Sequence, residues 1–96
     1  MIYEWDPEKA AANLRKHKVS FREATTVFTD PSALTFDDPD HSDTEKRFIT
    51  IGTSIKRRVV FLAHADRGDD RIRIISARRT TKSEAHAYQE PRKRQR

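Results

Sequence analysis

The 96-residue chain has no cysteine, two glycines, one methionine and one tryptophan. Without cysteine it has no disulfide, no thiolate metal ligand and no thiol nucleophile, which suits a reducing compartment. Gly52 and Gly68 alone cannot build a glycine-rich phosphate loop. No apolar run nears the roughly 20 residues that cross a bilayer, and no secretory pattern opens the chain. The expected location is therefore the cytoplasm. A chain of this length supports one small core.

Charge is what the chain has in plenty. Residues 1–45 carry five cations against ten acids, and residues 46–96 carry fifteen against five. The whole chain is at +5, with an isoelectric point near 9.9. A basic half points to a polyanion, most obviously nucleic acid, while the acidic half argues against simple DNA coating.

Ile2 to Trp5 reads as a short strand, followed by Asp6 as N-cap and Pro7 at the first helical position. A helix over Glu8–His17 is expected, with Ala10 and Leu14 as its apolar stripe and Asn13, Lys16 and His17 in its last turn. Cations there suit the helix dipole whatever else they do. Ser20 and Glu23 form a capping-box pattern that opens a second helix to about Phe28. Ala33–Phe36 reads as a strand, and the acidic run Asp37–Asp43 as a loop. Strands are expected over Lys46–Gly52, Arg58–His64 and Arg71–Ser76, joined by short polar links that favour hairpins. Thr81 and Glu84 make a second capping box for a last helix carrying Ala85 and Tyr88. The order β-α-α-β-β-β-β-α predicts an α+β domain with an antiparallel meander in its second half. Residues 1–90 are expected to form the single domain, with residues 91–96 as a basic, disordered tail.

The segment Arg71–Arg79 organises the rest. Arg71 and Arg73 alternate with Ile72 and Ile74, as on a strand with one buried face, until Ile75 breaks the pattern. With Arg78 and Arg79 just beyond, four guanidiniums gather where a sheet meets a helix start. Such a cluster grips phosphate well. It equally describes a solvated basic strand paired with the acids of the N-terminal half.

No HExxH or EF-hand pattern and no nucleophile elbow occurs. Of the four histidines, His41 beside Asp40 and Asp43 is a weak metal candidate. What remains is metal-free acid–base chemistry on a phosphodiester, which needs a base, an acid and cations for the developing charge. Glu45, His17, His64 and Lys16 are candidates for acid and base; Arg47, Arg71, Arg73 and Arg78 are candidates for the cations. Glu45 could instead only pair with Arg47, and His64 could be a satisfied strand-end residue.

Four blocks carry a family resemblance: Tyr3-Glu4-Trp5-Asp6-Pro7 with Lys9; Asn13-Leu14-Arg15-Lys16-His17 with Val19-Ser20-Phe21; Glu45 to Gly52; and Arg71 to Arg78, continued by Lys82, Glu84 and Tyr88. Over residues 2 to 90 the chain resembles the BrnT family of type II toxins. The resemblance implies a RelE-like fold, with helices packed on one face of a small antiparallel sheet, and a metal-independent endoribonuclease without cofactor. It implies a BrnA-like antitoxin as partner, in a dimer of heterodimers that meets operator DNA only through the antitoxin. RNA would lie on an open sheet face. Glu45, Arg47, His64, Arg73 and Arg78 are the expected catalytic residues, with Lys16, His17, Arg71, Arg79 and Lys82 binding the substrate. The rival reading is a non-catalytic basic module that docks nucleic acid or protein.

Overall fold

In the computed structural model, residues 1–38 and 45–94 are described, the last five of these by their backbone alone. The order is β1 (Ile2–Glu4), α1 (Pro7–His17), α2 (Phe21–Thr25), a 3₁₀ turn (Thr26–Thr29), β2 (Leu34–Asp37), β3 (Arg47–Thr53), β4 (Val59–Asp66), β5 (Arg71–Arg79) and α3 (Lys82–Arg94). Local chemistry sets the helix starts. Asp6 accepts from the Glu8 N–H at 2.8 Å with Pro7 inside the first turn, and Ser20 accepts from the Glu23 N–H at 2.9 Å. The second helix tightens earlier than the sequence predicts. Thr25, Thr26 and Thr29 each donate a hydroxyl to the carbonyl three residues back, which favours the 3₁₀ turn. At the other end α3 runs to Arg94, past the residue where the basic tail was expected to begin. Pro91 removes one backbone donor there without ending the helix.

The five strands form one sheet in the order β1-β5-β4-β3-β2. All neighbours are antiparallel except β1 and β5, so the sheet is mixed rather than wholly antiparallel. Ile75 is the extra residue of a β-bulge opposite Ala63 and His64. The break in alternation is therefore a bulge inside β5, which continues to Arg79 rather than ending at Ser76.

The helices do not share one face. Val60, Leu62, Ile74 and Ala77 pack against Val19, Phe21, Ala24 and Val27 of the α1–α2 unit. The alternate strand positions Ile49, Ile51 and Ala63 pack on the opposite side, with Tyr88 of α3. Tyr88 is buried, and its hydroxyl bonds Thr53 at 3.0 Å and the Asp30 carboxylate. One aromatic anchor thus carries α3 to the second face, where the expectation placed an open surface. Gly52 permits a close approach on the first face: a Cβ there would lie 3.0 Å from that of Ala33 and 3.2 Å from that of Val27.

β1 covers only Arg71–Arg73 of β5, which leaves backbone groups further along without a strand partner. Asn13 fills that place. Its amide donates to the Ala77 carbonyl at 2.8 Å and to the Val19 carbonyl at 2.9 Å, while its oxygen accepts from the Ala77 N–H at 3.1 Å. Replacing this buried residue strands three backbone groups. Asn13→Leu should lower unfolding free energy by roughly 3 kcal/mol or more, read by urea denaturation. A loss under about 1 kcal/mol would mean that water takes over the three bonds.

Candidate active site

Strand register gathers one charged row on the α3 side of the sheet. Glu4 stands opposite Arg73, Arg73 opposite Ala65, and Ala65 opposite Arg47. At about 4.8 Å between strands, Arg73 and Arg47 lie roughly 10 Å apart at the backbone. Only the small, buried Ala65 separates them. Glu45, just before β3, comes within 3.6 Å of Arg47 Nε and 3.2 Å of Arg67 Nη1. Arg67 also lies 3.9 Å from Glu4. Among the described residues the guanidinium of Arg73 has no hydrogen-bond or ion-pair partner, although it is half-buried. Each chain position has a local cause: Arg67 follows Ala63 and Ala65 in the alternation of β4, and the hairpin Arg67–Asp70 turns β5 back through Gly68 at φ +77°.

A carboxylate held between two guanidiniums, beside a third that is free, can do two things. The carboxylate can accept a proton, and the free guanidinium can take two oxygens of a phosphate. The Glu45–Arg47 pairing anticipated from sequence is present, and it leaves Arg73 uncommitted.

His64 does not join this row. It faces the other side of the sheet, buried, with its Nε2 2.7 Å from the Thr50 hydroxyl. Its ring lies edge-on to Phe28 and stacked on Phe48. Burial pushes its pKa down to about 4, with Asp66 partly opposing, so it is a neutral core imidazole there. Its role as base is thereby withdrawn, because the sheet stands between it and Arg73. Arg71 borders the same cavity of about 450 Å³ that His64 lines.

Arg78 is on the α3 side but committed. It holds both oxygens of Glu84 at 2.8 Å and lies over the Phe61 ring at 4.0 Å. Glu84 is also the capping-box acid of α3, accepting from the Thr81 N–H at 2.8 Å. The Arg78 bonds hold its pKa down at about 2. The stabilisation from this carboxylate is complete above pH 4.5 and is lost as pH falls toward about 2. Because the pair is partly exposed, a double-mutant cycle with Arg78→Ala and Glu84→Ala should give a coupling of roughly 1 kcal/mol. Zero coupling in thermal melts would return Arg78 to the free cations.

Lys16 and His17 line a separate groove of about 250 Å³ between α1 and Ile75. Arg79 and Lys82 are exposed at the β5–α3 junction, and Arg79 shares a face with buried Val60 rather than with Arg73. His41 lies outside the described residues. Among the described residues no group of three acids or histidines could hold a metal ion, and no helix is long and apolar enough to cross a membrane. The sequence reading missed Arg67 and Glu4. Arg67 carried a signal, the continued alternation beyond Ala65; Glu4 needed the parallel β1–β5 pairing to be known.

The sequence model described as the ribonuclease toxin BrnT of type II toxin–antitoxin systems matches residues 5–84. The chain belongs to the BrnT family. The matched span contains Glu45, Arg47, Arg67 and Arg73, whereas Glu4 lies just outside it. The crystal structure of the Brucella abortus ribonuclease toxin BrnT superposes with a TM-score of 0.66 at 22% identity. The match covers 85% of this chain and all of that one, which establishes the shared BrnT fold. No relative of curated function matches the sequence.

Proposed function

We propose that this BrnT-family chain is a metal-independent endoribonuclease that cuts mRNA and so inhibits translation. The observation that carries the proposal is the guanidinium of Arg73, unpaired among the described residues, beside the Glu45–Arg47–Arg67 cluster. Glu45 takes the proton of a ribose 2′-hydroxyl, and the 2′-oxygen bonds to phosphorus as the P–O5′ bond breaks. The departing 5′-oxygen takes a proton from water, and the hydroxide left takes back the proton that Glu45 gained. Arg73 and Arg47 hold the phosphate oxygens as charge builds on them. Lys16, His17, Arg71, Arg79 and Lys82 serve at most as flanking contacts to the strand. The products are a 2′,3′-cyclic phosphate and a free 5′-hydroxyl.

A basic reactive face needs a cover while the toxin is silent. The partner in this reading is a BrnA-like antitoxin, in a dimer of heterodimers that reaches operator DNA through the antitoxin alone. The setting is the cytoplasm.

The network itself favours one rival, since ion pairs among Glu4, Arg67, Glu45 and Arg47 are also what a purely scaffolding cluster looks like. Incubating purified protein with RNA in EDTA separates the two. Fragments ending in 2′,3′-cyclic phosphate support the ribonuclease; retention of intact RNA by the protein supports the binding module.

A further inference from the structure

A cavity of about 290 Å³ adjoins the charged row and is lined by Glu4, Trp5, Asp6, Arg67 and Arg73. We propose that it holds one unstacked nucleobase of the RNA beside the cut, and that Glu4 selects guanine. The assignment rests on the ribonuclease reading above and adds its base preference.

Size and charge both fit. The volume corresponds to about ten water molecules, which accommodates a single base. Two carboxylates face two guanidiniums, so the lining is balanced and suits a neutral, flat, hydrogen-bonding ligand better than an ion. Trp5 supplies an aromatic wall. Its ring is set edge-on against Phe21, with 6.0 Å between centroids, and is therefore fixed by the core. Single-stranded RNA is commonly read this way, with a splayed base against an aromatic ring and its edge bonded by side chains.

Placement also fits. Glu4 and Arg73 are register partners on adjacent strands, so a base against Glu4 puts its own phosphate within reach of Arg73. Arg67 touches Glu4 with one nitrogen and Glu45 with another, which makes cavity and charged row one continuous surface. Of the two acids, Asp6 already accepts a hydrogen bond from the Glu8 N–H. Among the described residues the Glu4 carboxylate has only the 3.9 Å ion-pair contact to Arg67, beyond hydrogen-bond distance, so it is the better placed of the two to read a base.

An ionised carboxylate only accepts hydrogen bonds. Guanine offers two adjacent donors, the ring N1–H and the exocyclic amino group, which match both oxygens. Adenine and cytosine set an amino donor beside a ring acceptor. Uracil flanks one donor with two carbonyls that a carboxylate repels. Guanine is the base that fits.

Trp5 is the chain's single tryptophan, so its fluorescence reports the cavity directly. Titration with guanosine 3′-monophosphate should quench it at least about tenfold more tightly than uridine 3′-monophosphate, the discrimination of one bidentate contact. Glu4→Gln should bring the two within about threefold, because the amide sets an NH2 donor where the carboxylate's second acceptor oxygen met a guanine donor. Circular dichroism checks that the exposed substitution leaves the fold intact. In cleavage of a mixed-sequence RNA, guanine should be enriched at one fixed position for the wild type and lose that enrichment in the variant. Equal nucleotide affinities, or a preference that survives Glu4→Gln, would overturn the assignment, as would cutting without base preference. A guanosine preference with RNA left intact would uphold the cavity and remove the ribonuclease reading instead.

Discussion

Arg73→Ala should cut RNA roughly 100-fold more slowly in single-turnover conditions, since a charge-stabilising donor contributes about 3 kcal/mol in the transition state. The same change should shift unfolding free energy by less than about 1 kcal/mol. The asymmetry follows from the environment: the Arg73 guanidinium makes no bond within the described residues, and its strand neighbours hold the sheet without it. Ile74, the next residue, should behave in the reverse way. It is buried against the α1–α2 unit, and Ile74→Ala should cost roughly 2–5 kcal/mol through the cavity it leaves. Folded Ile74→Ala protein should cut nearly normally. If Arg73→Ala loses stability and keeps its rate, the residue is scaffold.

Acid should unfold the protein through His64. The imidazole protonates near 6.5 in an unfolded chain and near about 4 here, because charging it means placing a cation among Phe28, Phe48 and the sheet. Its folded pKa lies below its unfolded one, so the unfolded state binds the proton first. The stabilisation is full above pH 6.5 and disappears as pH falls to about 4. At about 1.4 kcal/mol per pH unit, the total is roughly 3 kcal/mol. His64→Gln keeps an amide near Thr50 and has nothing to titrate, so the wild-type-minus-variant stability curve should slope across that window. Differences from Glu84 enter only at lower pH. A flat difference curve between pH 6.5 and 5 would mean that His64 is reached by water in the folded state.

Local chemistry made much of this fold legible. Asp6-Pro7, Ser20 and Thr81–Glu84 mark helix starts that the structure reproduces. The isoleucine–arginine alternation correctly sent Ile74 inward and Arg73 outward. Ile75 was visible as a break, but a break alone does not separate a strand end from a bulge. That distinction needed the register with β4, because the opposing residues Ala63 and His64 lie in another segment of the chain.

The site was only partly legible for the same reason. Glu45, Arg47 and Arg73 could be grouped by type, yet whether they share a face depends on pairing across β3, β4 and β5. His64 and Arg78 have equally suitable chemistry. The first faces away by one step of the β4 alternation, and the second is taken by Glu84. Tyr88 posed a related problem. A thin stripe of Ala85 and Tyr88 shows that α3 packs, but not on which side of the sheet. Asn13 read as a helix-end polar residue, since nothing local announced that β1 would be too short to cover β5.

RNA should lie along the row Glu4–Arg73–Ala65–Arg47. An oligonucleotide with 2′-O-methyl riboses cannot be cut by 2′-attack, because methyl replaces the proton that the attacking 2′-oxygen must lose, so it forms a stable complex for NMR. On titration, the side-chain Nε–H signals of Arg73, Arg47 and Arg67 should shift together while the His64 ring signals stay in place. Shifts confined to the His64 cavity or to the Lys16–His17 groove, with Arg73 unmoved, would contradict the account.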